Sequence, residues 1–128
     1  MSLSVAKADI IISQPIAEVW SHLMVNYYWG NWWGSDIRRL DPGWEQGAEL
    51  QFSGSHQPLI SIDKFIPQQT IQFAMKYMRI NINVVAVDES STQVEIESIP
   101  EGATFPDGGA NQKRIMAEKL ARLKESLE

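Results

Sequence analysis

The residues best equipped for recognition chemistry lie close together: Tyr27, Tyr28, Trp29, Trp32 and Trp33, interrupted by Gly30 and Gly34. Each buried aromatic removes about 150–250 Å² from water. At about 25 cal/mol per Å² that is several kcal/mol apiece, taken as an upper bound. Such a cluster therefore has to meet something apolar. It can be a packed lid between helices and sheet, the wall of a pocket for a flat or greasy ligand, or a belt at a membrane interface. Few cations lie nearby to support the last of these.

The remaining reactive side chains are scattered. The chain has two histidines and no cysteine. His22 falls one residue off an apolar stripe, and His56 sits in the turn Gly54-Ser55-His56-Gln57-Pro58. Neither has metal-ligand spacing, so no metal is expected. Asp36, Arg38, Arg39, Asp63, Arg79, Glu95 and Glu97 lie in or beside candidate strands. Alternation puts Glu95 and Glu97 on one face with Val94 and Ile96 on the other. A solvated outer face is expected; the reverse register would bury two carboxylates, where a raised pKa makes a general acid or base. Arg79, Asn81 and Asn83 share a face opposite Ile80 and Ile82. No serine elbow, phosphate-cradling glycine loop or dinucleotide fingerprint is present. Asp107-Gly108-Gly109 reads as a turn into the last helix, and no cofactor is expected.

The elements that would position these groups follow from periodicity. Residues 3–12 are rich in Leu, Val and Ile and predict a strand. Ser13-Gln14-Pro15 then offers a helix start. Ile16, Val19, Trp20, Leu23 and Met24 form one helical stripe, and the aromatic group continues as a second, shorter helix. From Asp36 onward the texture is alternation and turns, with strands predicted at 36–41, 48–54, 59–66, 70–77, 79–87 and 92–99. Ile71, Phe73, Met75 and Tyr77 are apolar at odd positions, whereas Ile80, Ile82 and Val84 are apolar at even ones. That phase flip predicts a turn or bulge near Met78-Arg79. Met116, Leu120, Leu123 and Leu127 mark a long amphipathic helix running to the end of the sequence.

With 128 residues, 44% hydrophobic and 21% charged, the chain has the size and composition of one globular domain, 1–128. The net charge of −5 argues against nucleic acid and against anionic membranes. No span approaches the length of a membrane helix, so no stable insertion is expected, and the start shows no secretion signal. Cytoplasm is the default expectation.

Consecutive strands joined by short turns favour an antiparallel sheet with one face to cover, and the terminal helix is the element long enough to cover it. The expected architecture is α+β. A curved antiparallel sheet of about six or seven strands wraps a long C-terminal helix, with two short helices after the first strand. A twisted sheet meets one helix best at its middle, leaving room for an apolar cavity.

In this order the chain resembles the START-like, or SRPBCC, superfamily of helix-grip domains, particularly its polyketide-cyclase-like and heat-shock co-chaperone-activator-like members. The resemblance rests on Pro15-x-x-x-Val19-Trp20-x-x-Leu23, Trp32-Trp33-Gly34 and Gly43-Trp44-x-x-Gly47. It continues through Ile62-Asp63-x-Phe65-x-Pro67, Ile71-x-Phe73, Val87-Asp88-x-x-x-Thr92-x-Val94 and Leu120-x-x-Leu123-Lys124. It implies the fold and leaves the function open, because the superfamily serves lipid carriers, hormone receptors, cyclases and chaperone partners on one scaffold.

The leading expectation is binding or transport of a small hydrophobic molecule, in a cavity lined by Trp29, Trp32, Trp33, Phe52, Phe73, Tyr77, Phe105, Met116 and Leu120. A cyclase- or aromatase-like enzyme would use the same cavity with one or two polar groups shuttling protons. A protein-interaction module would need an exposed apolar patch, for which Trp44 is the visible seed. Catalytic residues are not assigned, and the oligomeric state is open, a homodimer included.

Overall fold

Alternating apolar residues place one face of every strand inward, and the chain answers with a single sheet. The computed structural model describes residues 5–53, 60–75, 77–101, 104–105 and 107–128. In chain order the elements are β1 (Ala6–Ile12), α1 (Ile16–Leu23), a 3-10 turn (Asn26–Tyr28) and α2 (Trp29–Trp32). There follow β2 (Ile37–Asp41), β3 (Glu49–Phe52), β4 (Ile60–Ile66), β5 (Thr70–Ala74), β6 (Met78–Asp88), β7 (Ser91–Pro100) and α3 (Ala110–Leu127). The seven strands form one antiparallel sheet in the order β1-β7-β6-β5-β4-β3-β2. It is a meander from β2 to β7, with β1 closing beside β7.

Register carries the inward rows across the sheet. Ile71 pairs with Ile82 and Ile82 with Ile96, while Val84 faces Val94, and all five are buried. Register shifts interrupt β2, β4 and β6. An extra residue on one strand bends it and increases its twist.

The break between β5 and β6 falls earlier than the alternation suggested. β5 ends at Ala74 and β6 begins at Met78, and the backbone N–H of Met75 donates to the carbonyl of Met78 at 2.9 Å. Pro15 occupies the N-cap position of α1 with no side-chain cap; its carbonyl accepts from the N–H groups of Glu18 and Val19. The expected second helix is a 3-10 turn running into one turn of α-helix. The beginning of the first expected strand and the turn carrying His56 lie outside the described residues.

α3 is the gripped helix. Gly109 turns the chain into it at φ 94°, a conformation that side-chain-bearing residues rarely adopt. A Cβ there would also lie 3.3 Å from Cβ of Ala6. Asp107 caps the start, accepting from the N–H groups of Asn111 at 2.7 Å and Gly109 at 3.0 Å. Met116, Leu120 and Leu123 are buried. The far end is tied to the β1–α1 junction: Ser13 N–H donates to Glu128 Oε2, Gln14 Nε2 to the Leu127 carbonyl, and Lys124 Nζ to the Ile11 carbonyl. The Gln14 bond occupies a terminal carbonyl that the helix itself leaves unpaired. α3 packs chiefly along β1 and against α2, and only lightly on β7. The β3–β6 half of the inner face is covered by side chains, most of them aromatic.

Candidate functional site: the aromatic interior between sheet and helix

α1 and α2 deliver tryptophans to that half. Trp29 sits at the centre, its ring 4.8 Å from Trp32, 5.6 Å from Trp33, 5.8 Å from Trp44, 6.2 Å from Phe52 and 5.7 Å from Phe73. Trp33 stacks on Phe52, and Phe65 links Trp44 to Trp20. The five neighbouring aromatics of the sequence thus divide. The tryptophans turn inward, with Trp29 and Trp32 fully buried and Trp33 half-buried. Tyr27 is 72% exposed and Tyr28 39%.

Two indole N–H groups cap α1. Trp29 Nε1 donates to the Leu23 carbonyl at 2.8 Å, and Trp44 Nε1 to the Met24 carbonyl at 3.0 Å. A helix leaves its last carbonyls without internal partners, so these bonds fix the angle at which α1 meets the cluster. They also seat Trp44 half inside it, away from the docking-patch role its turn suggested. Trp32 differs. Its Nε1 is buried and meets no acceptor among the described residues.

A second, more polar region lies near the start of α3. Ser98 on β7 is fully buried, and its hydroxyl donates to Met116 Sδ at 3.0 Å. Gln112 Nε2 donates to Ser98 Oγ at 3.0 Å and lies 3.9 Å from Met78 Sδ. Phe105 comes within 3.5 Å of the position a Cβ on Gly109 would take. Half-buried Met75, Met78 and Phe105 pack against the core here. Of the residues picked from the sequence, Trp29, Trp32, Trp33, Phe52 and Phe73 are joined in one ring cluster, and Met116 meets Ser98. Leu120 is buried one turn further along α3. Tyr77, between β5 and β6, is 68% exposed.

Ser98, Gln112 and Lys119 escaped the sequence reading. Gln112 stands four residues before Met116, and Lys119 three after it and four before Leu123, so both lie on the apolar stripe. Their position on that stripe was the available signal. Lys119 Nζ donates to the Trp33 carbonyl and lies 4.7 Å from the centre of the Trp33 ring. Burial, with a smaller contribution from the Arg122 charge, lowers the Lys119 pKa.

Ionisable groups elsewhere among the described residues face outward, apart from His22. Asn83 Nδ2 donates to Glu95 at 3.3 Å and Glu97 at 3.1 Å, Thr70 donates to Asn83, and Lys7 lies 3.6 Å from Glu97. The register that would have turned both carboxylates inward is not adopted. Arg79 pairs with Glu101 and lies 3.8 Å from Asp63. His22 stacks on Tyr28 at 4.6 Å, its Nε2 is buried without a partner among the described residues, and burial lowers its pKa. An open depression of about 650 Å³ outside the β4–β5 turn is bordered by Lys64, Ile66, Thr70, Asn83, Val85 and Glu95. It contains none of the residues expected to line the apolar cavity, although Asn83 and Glu95, both noted in the sequence, border it. Among the described residues no helix is long and apolar enough to cross a membrane.

Several solved structures share this architecture. DynU16, a protein in the dynemicin biosynthetic locus, is 13% identical with a TM-score of 0.80; the match covers 98% of this chain and 48% of DynU16. This chain therefore spans about half of that protein's length. ChR145 from Cytophaga hutchinsonii is 17% identical with a TM-score of 0.78, covering 99% of this chain and 96% of its own. The Aha1 dimer from Colwellia psychrerythraea is 19% identical with a TM-score of 0.73, covering 97% and 96%. No family model and no curated protein matches the sequence. At these identities the likeness carries the fold alone.

Proposed function

We propose that the 128 residues act as one START-like unit that binds a small hydrophobic molecule between the sheet and α3. The observation that carries this reading is the lopsided seat of α3. The helix rests on β1 and α2, and the opposite half of the inner face is lined by a continuous aromatic cluster whose member Trp33 stays only half-buried, as does Phe105 near the start of α3. An interior finished by flat rings and thioethers suits a flat or flexible apolar ligand, because both adapt to its shape. The Ser98–Gln112 pair supplies the few polar atoms such sites use to fix orientation. Trp29, Trp32, Trp33, Phe52, Phe73, Phe105, Met116 and Leu120 are the lining assigned to this role, with Tyr77 at the outer margin.

The test is titration with the neutral apolar fluorophore N-phenyl-1-naphthylamine. Binding inside the cluster gives saturable probe fluorescence excited through tryptophan, and calorimetry gives a negative heat-capacity change. Probe fluorescence that rises without saturating, or that is unaffected by excess protein, overturns the reading. Native mass spectrometry of freshly purified protein then looks for a co-purified molecule. The location of DynU16 in the dynemicin biosynthetic locus makes biosynthetic small molecules the first natural ligands to try.

A further inference from the structure

From the seam where α2 meets α3, and resting on the binding role proposed above, we infer that the ligand is an acid: an apolar body carrying one carboxylate, held by Lys119. Lys119 projects from the buried stripe of α3 with its ammonium over the Trp33 ring, and donates to the Trp33 carbonyl. That bond uses one of its three protons. Among the described residues no carboxylate lies within 4.0 Å of it; on the same helix exposed Arg114 and half-buried Lys124 each have one, while Lys113 and Arg122, which also have none, are exposed to water. A half-buried cation without a counter-ion is costly, and an anion that reaches it gains more than it would at an exposed lysine.

Two further features mark the same seam. Trp32 packs edge-on against Trp33, its ring 5.3 Å away, and its buried N–H meets no acceptor among the described residues. Beside Lys119, Gly34 is in the left-handed region at φ 110°, and a Cβ there would have Lys119 Nζ, at 3.8 Å, as its one neighbour within 4 Å. The approach to the ammonium from the Gly34 side is therefore open, and a side chain at that position would intrude on it. Lys119 offers donors alone. An acceptor-only group, a carboxylate, answers it, while the half-buried indole of Trp33 receives the apolar body. A neutral amide or an amine brings donors of its own and leaves this pairing incomplete.

The experiment compares two probes of nearly equal shape, naphthalene carboxylate and naphthalene carboxamide, by calorimetry on the whole chain at low salt. The carboxylate is expected to bind about tenfold tighter, the gain of one charge-assisted hydrogen bond over a neutral one. K119M keeps the stem over Trp33 and is expected to bring the carboxylate down to the affinity of the carboxamide, with K119R restoring the difference. The carboxamide should be indifferent to both substitutions. Equal affinity of the two probes for the unmodified protein overturns the acid assignment while leaving apolar binding intact. Binding of neither probe removes both the assignment and the reading it rests on. Because the first comparison uses the unmodified chain, it stands even where a substituted chain fails to fold.

Discussion

Trp29 and Trp32 are both fully buried and both belong to α2, yet among the described residues one indole N–H has a partner and the other has none. Replacing either with phenylalanine removes a similar volume from a site of similar burial, so the cavity contributions cancel to first order. The polar contributions have opposite signs. W29F deletes the bond to the Leu23 carbonyl and strands that acceptor at the end of α1, costing about 1–3 kcal/mol. W32F removes a buried donor that was already unpaired, which recovers about 1–3 kcal/mol of desolvation. W29F should therefore be more destabilising than W32F by about 2 kcal/mol or more. For a chain of this size that is a separation of roughly 1 M between urea midpoints. Far-UV circular dichroism is the suitable probe, because both substitutions alter tryptophan fluorescence directly. The reasoning is refuted if W32F unfolds at the same urea concentration as W29F, or lower, with an unchanged denaturant slope.

Two other consequences concern the frame around the cluster. Thr92 is fully buried and its hydroxyl donates to the Gln14 carbonyl at 2.8 Å, so T92V, which keeps the shape, should cost about 1–3 kcal/mol, whereas T92S retains the donor; equal urea midpoints for T92V and the parent would contradict this. Burial lowers the pKa of His22, so its folded-state value lies below the unfolded value of about 6.5. Its contribution to stability is full above that pH and falls as the pH descends from there to the folded value. Urea midpoints measured across this window should drop on acidification, and H22F should flatten that component. Asp107 and Glu128, whose pKa values are lowered mainly by hydrogen bonds from Asn111 N–H and from Lys124, act in a separate, more acidic window.

The architecture was legible because most of it is written in period and order. The stripe Ile16, Val19, Trp20, Leu23 can serve one helix face, and the alternation from Ile71 to Val84 can serve one sheet face at a time. Parity, however, cannot locate a connection. The shift from Ile71 and Phe73 to Ile80 and Ile82 requires a break somewhere between Phe73 and Ile80, and any position in that interval satisfies it equally. Backbone bonding at Met75 and Met78 chose the earlier one. The same distinction governs the site. That tryptophans should gather inside follows from their area, which is a property of the residue. Which indole finds a carbonyl depends on where α1 ends relative to α2, and that is a property of the fold. Lys119 shows the boundary between the two kinds of information. Its spacing from Met116 and Leu123 already placed a cation on an apolar stripe, a local inconsistency of the sort that marks functional positions. Only the packing of α3 on α2 shows that the charge rests on Trp33, beside the open flank of Gly34, with no carboxylate of the described chain to meet it. A sequence that breaks its own pattern where the fold leaves an unanswered charge is asking for a group that the chain does not itself provide.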